Sequence, residues 1–179
     1  MLNIMGKKKK LREVANYREE LFKNPQLRQL FLELTLRCNE KCLHCGSSCG
    51  DVKSEELSPE QYKTFLTQIK EDFGTQDKML CITGGEPLLR SDFFDIMSGA
   101  NELGFNWGMT SNATLIDDSV AKELYNCGMK TISVSIDGLE DTHDAFRRTP
   151  GGYKKAMNGI ESLIKLGKFK HVQVTTVVT

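Results

Sequence analysis

The amino-acid sequence predicts an α/β fold built on a parallel sheet, and two patterns carry that prediction. Short runs rich in leucine and β-branched residues alternate strictly with helical segments from residue 30 onward. The helical segments also end on glycine, at Gly104, Gly128 and Gly167, where a chain turning back toward a sheet needs a left-handed residue. With 179 residues the chain holds one ordinary domain.

Each element has its own signal. Residues 1–29 read as a lead-in: Lys7 to Lys10 precede Leu11, Val14, Ala15, Tyr17, Leu21 and Phe22, an amphipathic helix ending near Pro25. The lysine run reads as a solvated helix start and is assigned no function. Residues 30–179 form the core domain. Leu30 to Leu36 alternates leucine at period two, as a strand does. Ser58-Pro59-Glu60-Gln61 supplies a capping serine and a proline at the first helical position, so a helix runs from there to about Phe73. Met79 to Thr83 is a short buried strand, Ser91 to Leu103 a helix, Phe105 to Thr110 a strand and Asp117 to Asn126 a helix. Lys130 to Ile136 is a strand, Tyr153 to Leu166 a helix, and Val172 to Val178 a final strand. Trp107 and Met79, Met97, Met109, Met129 and Met157 read as packing residues. Asp137-Gly138 reads as a strand terminator.

Five strands and their intervening helices imply right-handed crossovers, in either an open doubly wound sheet or a (β/α) barrel. The fifth strand has no covering helix after it, so a truncated fold is expected; an eight-strand barrel needs ~250 residues.

Composition removes several function classes. Charged residues are 27% and hydrophobic ones 39%, which excludes a low-complexity or collagen-like chain. Lysine plus arginine (24) balances aspartate plus glutamate (24), so net charge proposes neither nucleic acid nor an anionic membrane as partner. No run reaches the ~18 apolar residues of a membrane span, and the charged N-terminus does not suit a secretory signal, so a cytoplasmic protein is expected. Four of the six cysteines lie within residues 38–49, a clustering that favours metal over disulfides.

Cys38-x3-Cys42-x2-Cys45 follows the first strand directly. Three thiolates from one loop suit a thiophilic metal centre. With Cys49 as a fourth ligand the site would close, giving a non-catalytic iron–sulfur or zinc module. Gly84-Gly85-Glu86-Pro87 follows the second strand, and so falls on the same sheet edge, where parallel sheets bind ligands. Paired glycines let a ligand approach the backbone, and a carboxylate accepts from an ammonium group.

These motifs resemble those of the radical S-adenosylmethionine (SAM) enzymes. Thr110-Ser111-Asn112, Ser133 to Gly138, His143-Asp144-x2-Arg147 and Gly151-Gly152-Tyr153 extend the resemblance over about residues 30–179. The set looks most like the branch of peptide-modifying maturases, anaerobic sulfatase maturases and the molybdenum-cofactor cyclase. The resemblance implies a partial (β/α)6 TIM-like barrel, here stopping after the fifth strand. It implies Cys38, Cys42 and Cys45 as ligands of a [4Fe-4S] cluster whose fourth iron takes the amino and carboxylate groups of SAM. Gly84, Gly85, Glu86 and Pro87 would meet the methionyl ammonium, Ser135 the ribose, and Arg147 the methionyl carboxylate through its planar fork. Ser111 and Asn112 would line the pocket, with His44 near the adenine. Cys49, Cys81 and Cys127 are taken as non-ligands. Ala113 departs from the glycine common after the asparagine. Expected partners are a peptide or small-molecule substrate and a flavodoxin- or ferredoxin-type electron donor.

Overall fold

A computed structural model of the chain describes residues 4–51 and 55–177. Among them the strands are β1 (Gln29–Thr35), β2 (Met79–Gly84), β3 (Asn106–Ser111), β4 (Met129–Ser135) and β5 (His171–Thr175). The helices are α1 (Ile4–Lys23), α2 (Pro59–Phe73), α3 (Phe93–Glu102), α4 (Asp118–Asn126), α5 (Glu140–Arg147) and α6 (Gly152–Leu166), with a 3₁₀ turn at Pro87–Leu89.

All four strand pairings are parallel and the spatial order is β1-β2-β3-β4-β5. A doubly wound sheet reverses its order at a switch point, and this one does not. Crossovers of one hand running in one direction keep the helices on one side, where α2 packs on α3 and α4 on α6. The architecture is therefore a partial TIM-like barrel with a helix-covered convex face and an open concave face.

Strand periodicity sorts the residues between those faces. Leu32, Leu34, Leu80, Ile82, Trp107, Met109, Ile132 and Val134 are buried in the core. Register rows on the other face align Phe31, Cys81, Gly108, Thr131 and His171, and above them Thr83 beside Glu33 and Ser133 between Thr110 and Gln173. Trp107 is wholly buried and its Nε1–H donates to the Cys127 carbonyl at 2.9 Å, so its one polar group costs the core nothing. Met97 and Met129 are buried and Met157 packs against the core from its margin, whereas Met79 lies partly buried on the concave face beside Cys81 and Gly108. The start of α2 matches its sequence signal: Ser58 Oγ accepts from Gln61 N–H and Gln61 Oε1 accepts from Ser58 N–H.

Four features differ from the sequence reading. The helix of residues 4–23 forms, but Leu11, Val14, Tyr17 and Phe22 remain exposed, Phe22 at 88%, and none of its described residues joins the buried core. Cys81 is half-buried on the concave face rather than in the core, whereas Cys127 is buried at the end of α4 as expected. Strand β5 ends at Thr175, and Val178 lies outside the described residues. Helix α5 has no counterpart among the elements the sequence predicts: its buried residues are His143 and Arg147, so it carries no apolar stripe to announce it.

Candidate active site

The site begins where β1 and β2 leave the sheet. Gly85 N–H donates to the Thr35 carbonyl at 2.7 Å and Glu86 N–H to the Arg37 carbonyl at 2.9 Å, so the second motif lies directly against the chain leading into Cys38. A Cβ on Gly84 would stand 2.3 Å from Thr35 O, and one on Gly85 would stand 2.0 Å from Arg37 O. No side chain fits either position. The glycine pair is required by chain-to-chain approach, independently of any ligand.

Beyond this crossing the cysteine loop closes on itself. Cys38 N–H donates to the Gly50 carbonyl and Gly50 N–H to the Leu36 carbonyl, at 3.1 and 3.0 Å, which forms a neck at residues 37 and 50. Within it, Cys38, Cys42 and Cys45 line a cleft of about 280 Å³. Gly84, Gly85, Ser111, Asn112, Ser135 and Arg147 line the same cleft, as does His44. Ten of the twelve residues expected to touch metal or cofactor thus converge on one place; Glu86 and Pro87 do not line it.

Cys49 shares the cleft, and its N–H donates to Cys45 Sγ at 3.2 Å. Burial pushes the Cys42 thiol up to about 11 despite the nearby Arg147 cation, and burial beside Cys45 pushes Cys49 up to about 12. Cys38 is raised too, again mainly by burial. Metal capture therefore releases protons. The free thiols of Cys38, Cys42, Cys45 and Cys49 border the cleft, a donor chemistry that fits a thiolate-ligated iron–sulfur cluster.

Glu86 is turned beneath the cleft floor. Both its carboxylate oxygens accept from Ser111 Oγ at 3.0 Å, and Asn112 N–H and Leu88 N–H donate to it at 2.9 and 3.3 Å. Burial outweighs these donors and pushes its carboxyl up to about 7. Glu86 thereby bolts the exit of β2 to the exit of β3, and Pro87 starts the buried 3₁₀ turn behind it. Ser111 is likewise committed inside the protein, since its hydroxyl also accepts from Ala113 N–H at 2.8 Å. Asn112 donates to Asn39 Oδ1 at 2.7 Å, and Asn39 donates to Thr114 Oγ1 at 2.8 Å, tying the cysteine loop to the chain after β3. Ala113 is buried with φ of 57°, the left-handed conformation that glycine adopts more readily.

Arg147 closes the opposite wall. Its Nη1 donates to Glu40 Oε2 at 2.7 Å, and its Nε and Nη2 each reach Asp137 Oδ2 at 2.8 Å. Burial would raise the Asp137 carboxyl, but the Val177 N–H and the Arg147 guanidinium hold it below the usual carboxylate range. His143 is fully buried and accepts from Asp137 N–H at 3.1 Å through Nδ1, and burial, then the Arg147 cation, lower its proton affinity below the ordinary histidine range. His44 stacks on Phe146 with ring centroids 4.6 Å apart, and its Nε2 lies 3.6 Å from Asp137 Oδ2. The sequence reading missed Glu40, Asn39 and the pairing role of Asp137. Asn39 and Glu40 stand at the unspecified positions of the Cys38-x3-Cys42 array, and nothing local marks Glu40 as a partner of an arginine 107 positions away.

A family model, the radical SAM superfamily, matches residues 32–179. The chain belongs to the radical SAM superfamily. Among curated radical SAM relatives, it is 36% identical over 135 residues to an AdoMet-dependent heme synthase of Methanosarcina barkeri, covering 74% of this chain and 38% of that protein. It is 35% identical over 132 residues to the sporulation killing factor maturation protein SkfB of Bacillus subtilis, covering 74% of this chain and 32% of that one. The fold is that of Streptococcus suis SuiB, solved bound to its precursor peptide SuiA, with TM-score 0.71 at 19% identity over 94% of this chain and 38% of SuiB. The chain thus spans about two fifths or less of the length of these proteins.

Proposed function

We propose that residues 30–179 are the core domain of a radical SAM enzyme that binds a [4Fe-4S] cluster through Cys38, Cys42 and Cys45 and acts in peptide maturation. The observation that carries this reading is the convergence of the three thiols with Gly84, Gly85 and Ser135 on one cleft at the C-terminal edge of a parallel sheet. A bound cluster of this kind supplies the electron that cleaves SAM to methionine and a 5′-deoxyadenosyl radical, which takes hydrogen from a substrate.

The residues divide that work. The Gly84–Gly85 backbone, free of side chains, receives the methionyl ammonium, and Ser135 the ribose. Asn112 and His44 border the remaining space. Arg147 meets the methionyl carboxylate only with the N–H donors left over from Glu40 and Asp137. Glu86, Pro87 and Ser111 act indirectly, by fixing the floor that presents the glycine backbone.

A peptide substrate is supported by the likeness to SkfB and to SuiB. It also suits the concave floor below the cleft, where Thr83, Thr110, Thr131, Ser133 and Gln173 offer uncharged hydrogen-bonding groups. The likeness to a heme synthase favours a small-molecule precursor as the second reading. The protein works in the cytoplasm, with a flavodoxin- or ferredoxin-type donor and neither nucleic acid nor membrane as partner; among the described residues no helix is long and apolar enough to cross a membrane.

Anaerobic reconstitution with iron and sulfide, followed by electron paramagnetic resonance of the reduced protein with and without SAM, tests the reading. A [4Fe-4S] signal that shifts on adding SAM, and survives C49S, is expected. A cluster indifferent to SAM and lost in C49S identifies the closed four-thiolate module instead. For the substrate, 5′-deoxyadenosine release stimulated by a precursor peptide and not by a porphyrin is expected; the reverse assigns the small-molecule reading.

A further inference from the structure

Glu40 sits in the cysteine loop between Cys38 and Cys42, yet it is 2% exposed. A carboxylate removed from water in that way costs several kcal/mol unless it is paired. The pairing partner comes from the far end of the chain: Arg147 Nη1 donates to Glu40 Oε2 at 2.7 Å, while the same guanidinium holds Asp137 at the exit of β4. The last residues of α5 meet the loop in three further places. Lys41 N–H donates to the Arg147 carbonyl at 3.2 Å, Leu43 N–H donates to the Phe146 carbonyl at 3.0 Å, and the His44 ring lies flat on Phe146. Glu40 Oε1 has no hydrogen-bond partner and faces the first turn of α6, where a Cβ on Gly152 would stand 3.5 Å from it. The N-terminal end of a helix favours a negative charge at that position.

We propose that Glu40 is a positioning residue: through Arg147 it clamps the stretch between the first and third cysteines onto the C-terminal end of α5, and so fixes where the three thiols stand. This deepens the cluster reading and rests on it. Without the clamp, the loop is held by its neck at residues 37 and 50 and by Asn39, which leaves residues 40–44 attached to α5 through two backbone hydrogen bonds and one ring stack, with the His44–Asp137 and Lys41–Asp51 pairs at its more exposed positions.

The test compares E40L, which removes the acceptor, with E40Q, which keeps one oxygen for Nη1. In the metal-free protein, E40L is expected to speed hydrogen exchange of the amides in residues 38–45 by about tenfold while α2 and α3 keep the wild-type rate, and E40Q to restore slow exchange. After reconstitution with iron and sulfide, the reduced E40L protein is expected to give a resonance with changed g-values and E40Q a resonance like that of the wild type. Should E40L fail to fold, R147K, whose single ammonium cannot span Glu40 and Asp137 together, is expected to give the same acceleration confined to the loop. Wild-type exchange rates in E40L, or in R147K where that variant replaces it, overturn the proposal, as does E40Q exchanging as fast as E40L. A wild-type protein that takes up no iron sinks the cluster reading instead, and the exchange result still decides the clamp.

Discussion

Leu80, early in β2, and Gly85, just past its end, serve the same strand in opposite ways. Leu80 is 1% exposed and contributes bulk to the core beneath the helices. Gly85 contributes the lack of a side chain, since a methyl group there would stand 2.0 Å from the Arg37 carbonyl oxygen. The convex face is held by area removed from water, which many side chains of suitable size supply. The C-terminal edge is held by particular donors, acceptors and close approaches, for which few substitutes exist. One strand therefore passes from a tolerant region into an intolerant one within a single turn of chain.

That contrast is breakable in order of expected size. G85A drives a methyl group into backbone that cannot retreat without opening the β1–β2 edge, and is expected to cost about 5 kcal/mol or more, read as loss of the cooperative urea transition or a large fall in its midpoint. R147M leaves Glu40 and Asp137 buried and uncompensated, and is expected to cost about 4 kcal/mol in the same experiment. L80A, the matched probe of the convex face, is expected to cost about 3 kcal/mol; a loss larger than that of G85A would erase the distinction between the two regions.

Glu86 sharpens it through pH. Its carboxyl is raised from an ordinary value of 4.5 to about 7 in the folded protein, so the folded state holds a proton that the unfolded state has already lost. The contribution is fully present below pH 4.5, falls as pH rises through about 7, and amounts to roughly 3 kcal/mol. Urea denaturation of wild type minus E86Q across that window is expected to show the decline, and a flat difference would mean that Glu86 ionises in the folded protein as readily as in the unfolded one. The smallest effect belongs to Ala113, buried at φ of 57°. A113G relieves a left-handed residue worth about 1 kcal/mol but gives up a buried methyl worth about 0.8 kcal/mol, so a change within about 1 kcal/mol of zero is expected.

The sequence by itself determined the alternation of strands and helices and the clustering of four cysteines in one loop. Strand and helix periods placed every strand to within a residue or two at its start, because side-chain alternation and capping are local properties of the chain. Cys38, Cys42 and Cys45 reach one cleft because covalent spacing already brings them together, and Gly84 and Gly85 reach it through strand order. Tertiary structure alone decided which way Glu86 points, that Cys49 shares the cleft, that His44 rests on Phe146, and that Glu40 meets Arg147 across 107 residues. It also decided that α5 is a helix, since a segment whose buried face is His143 and Arg147 has no apolar period to read. The physical reason is the same in each case: burial of a polar group is settled by a partner distant in sequence, and only the folded chain supplies that partner.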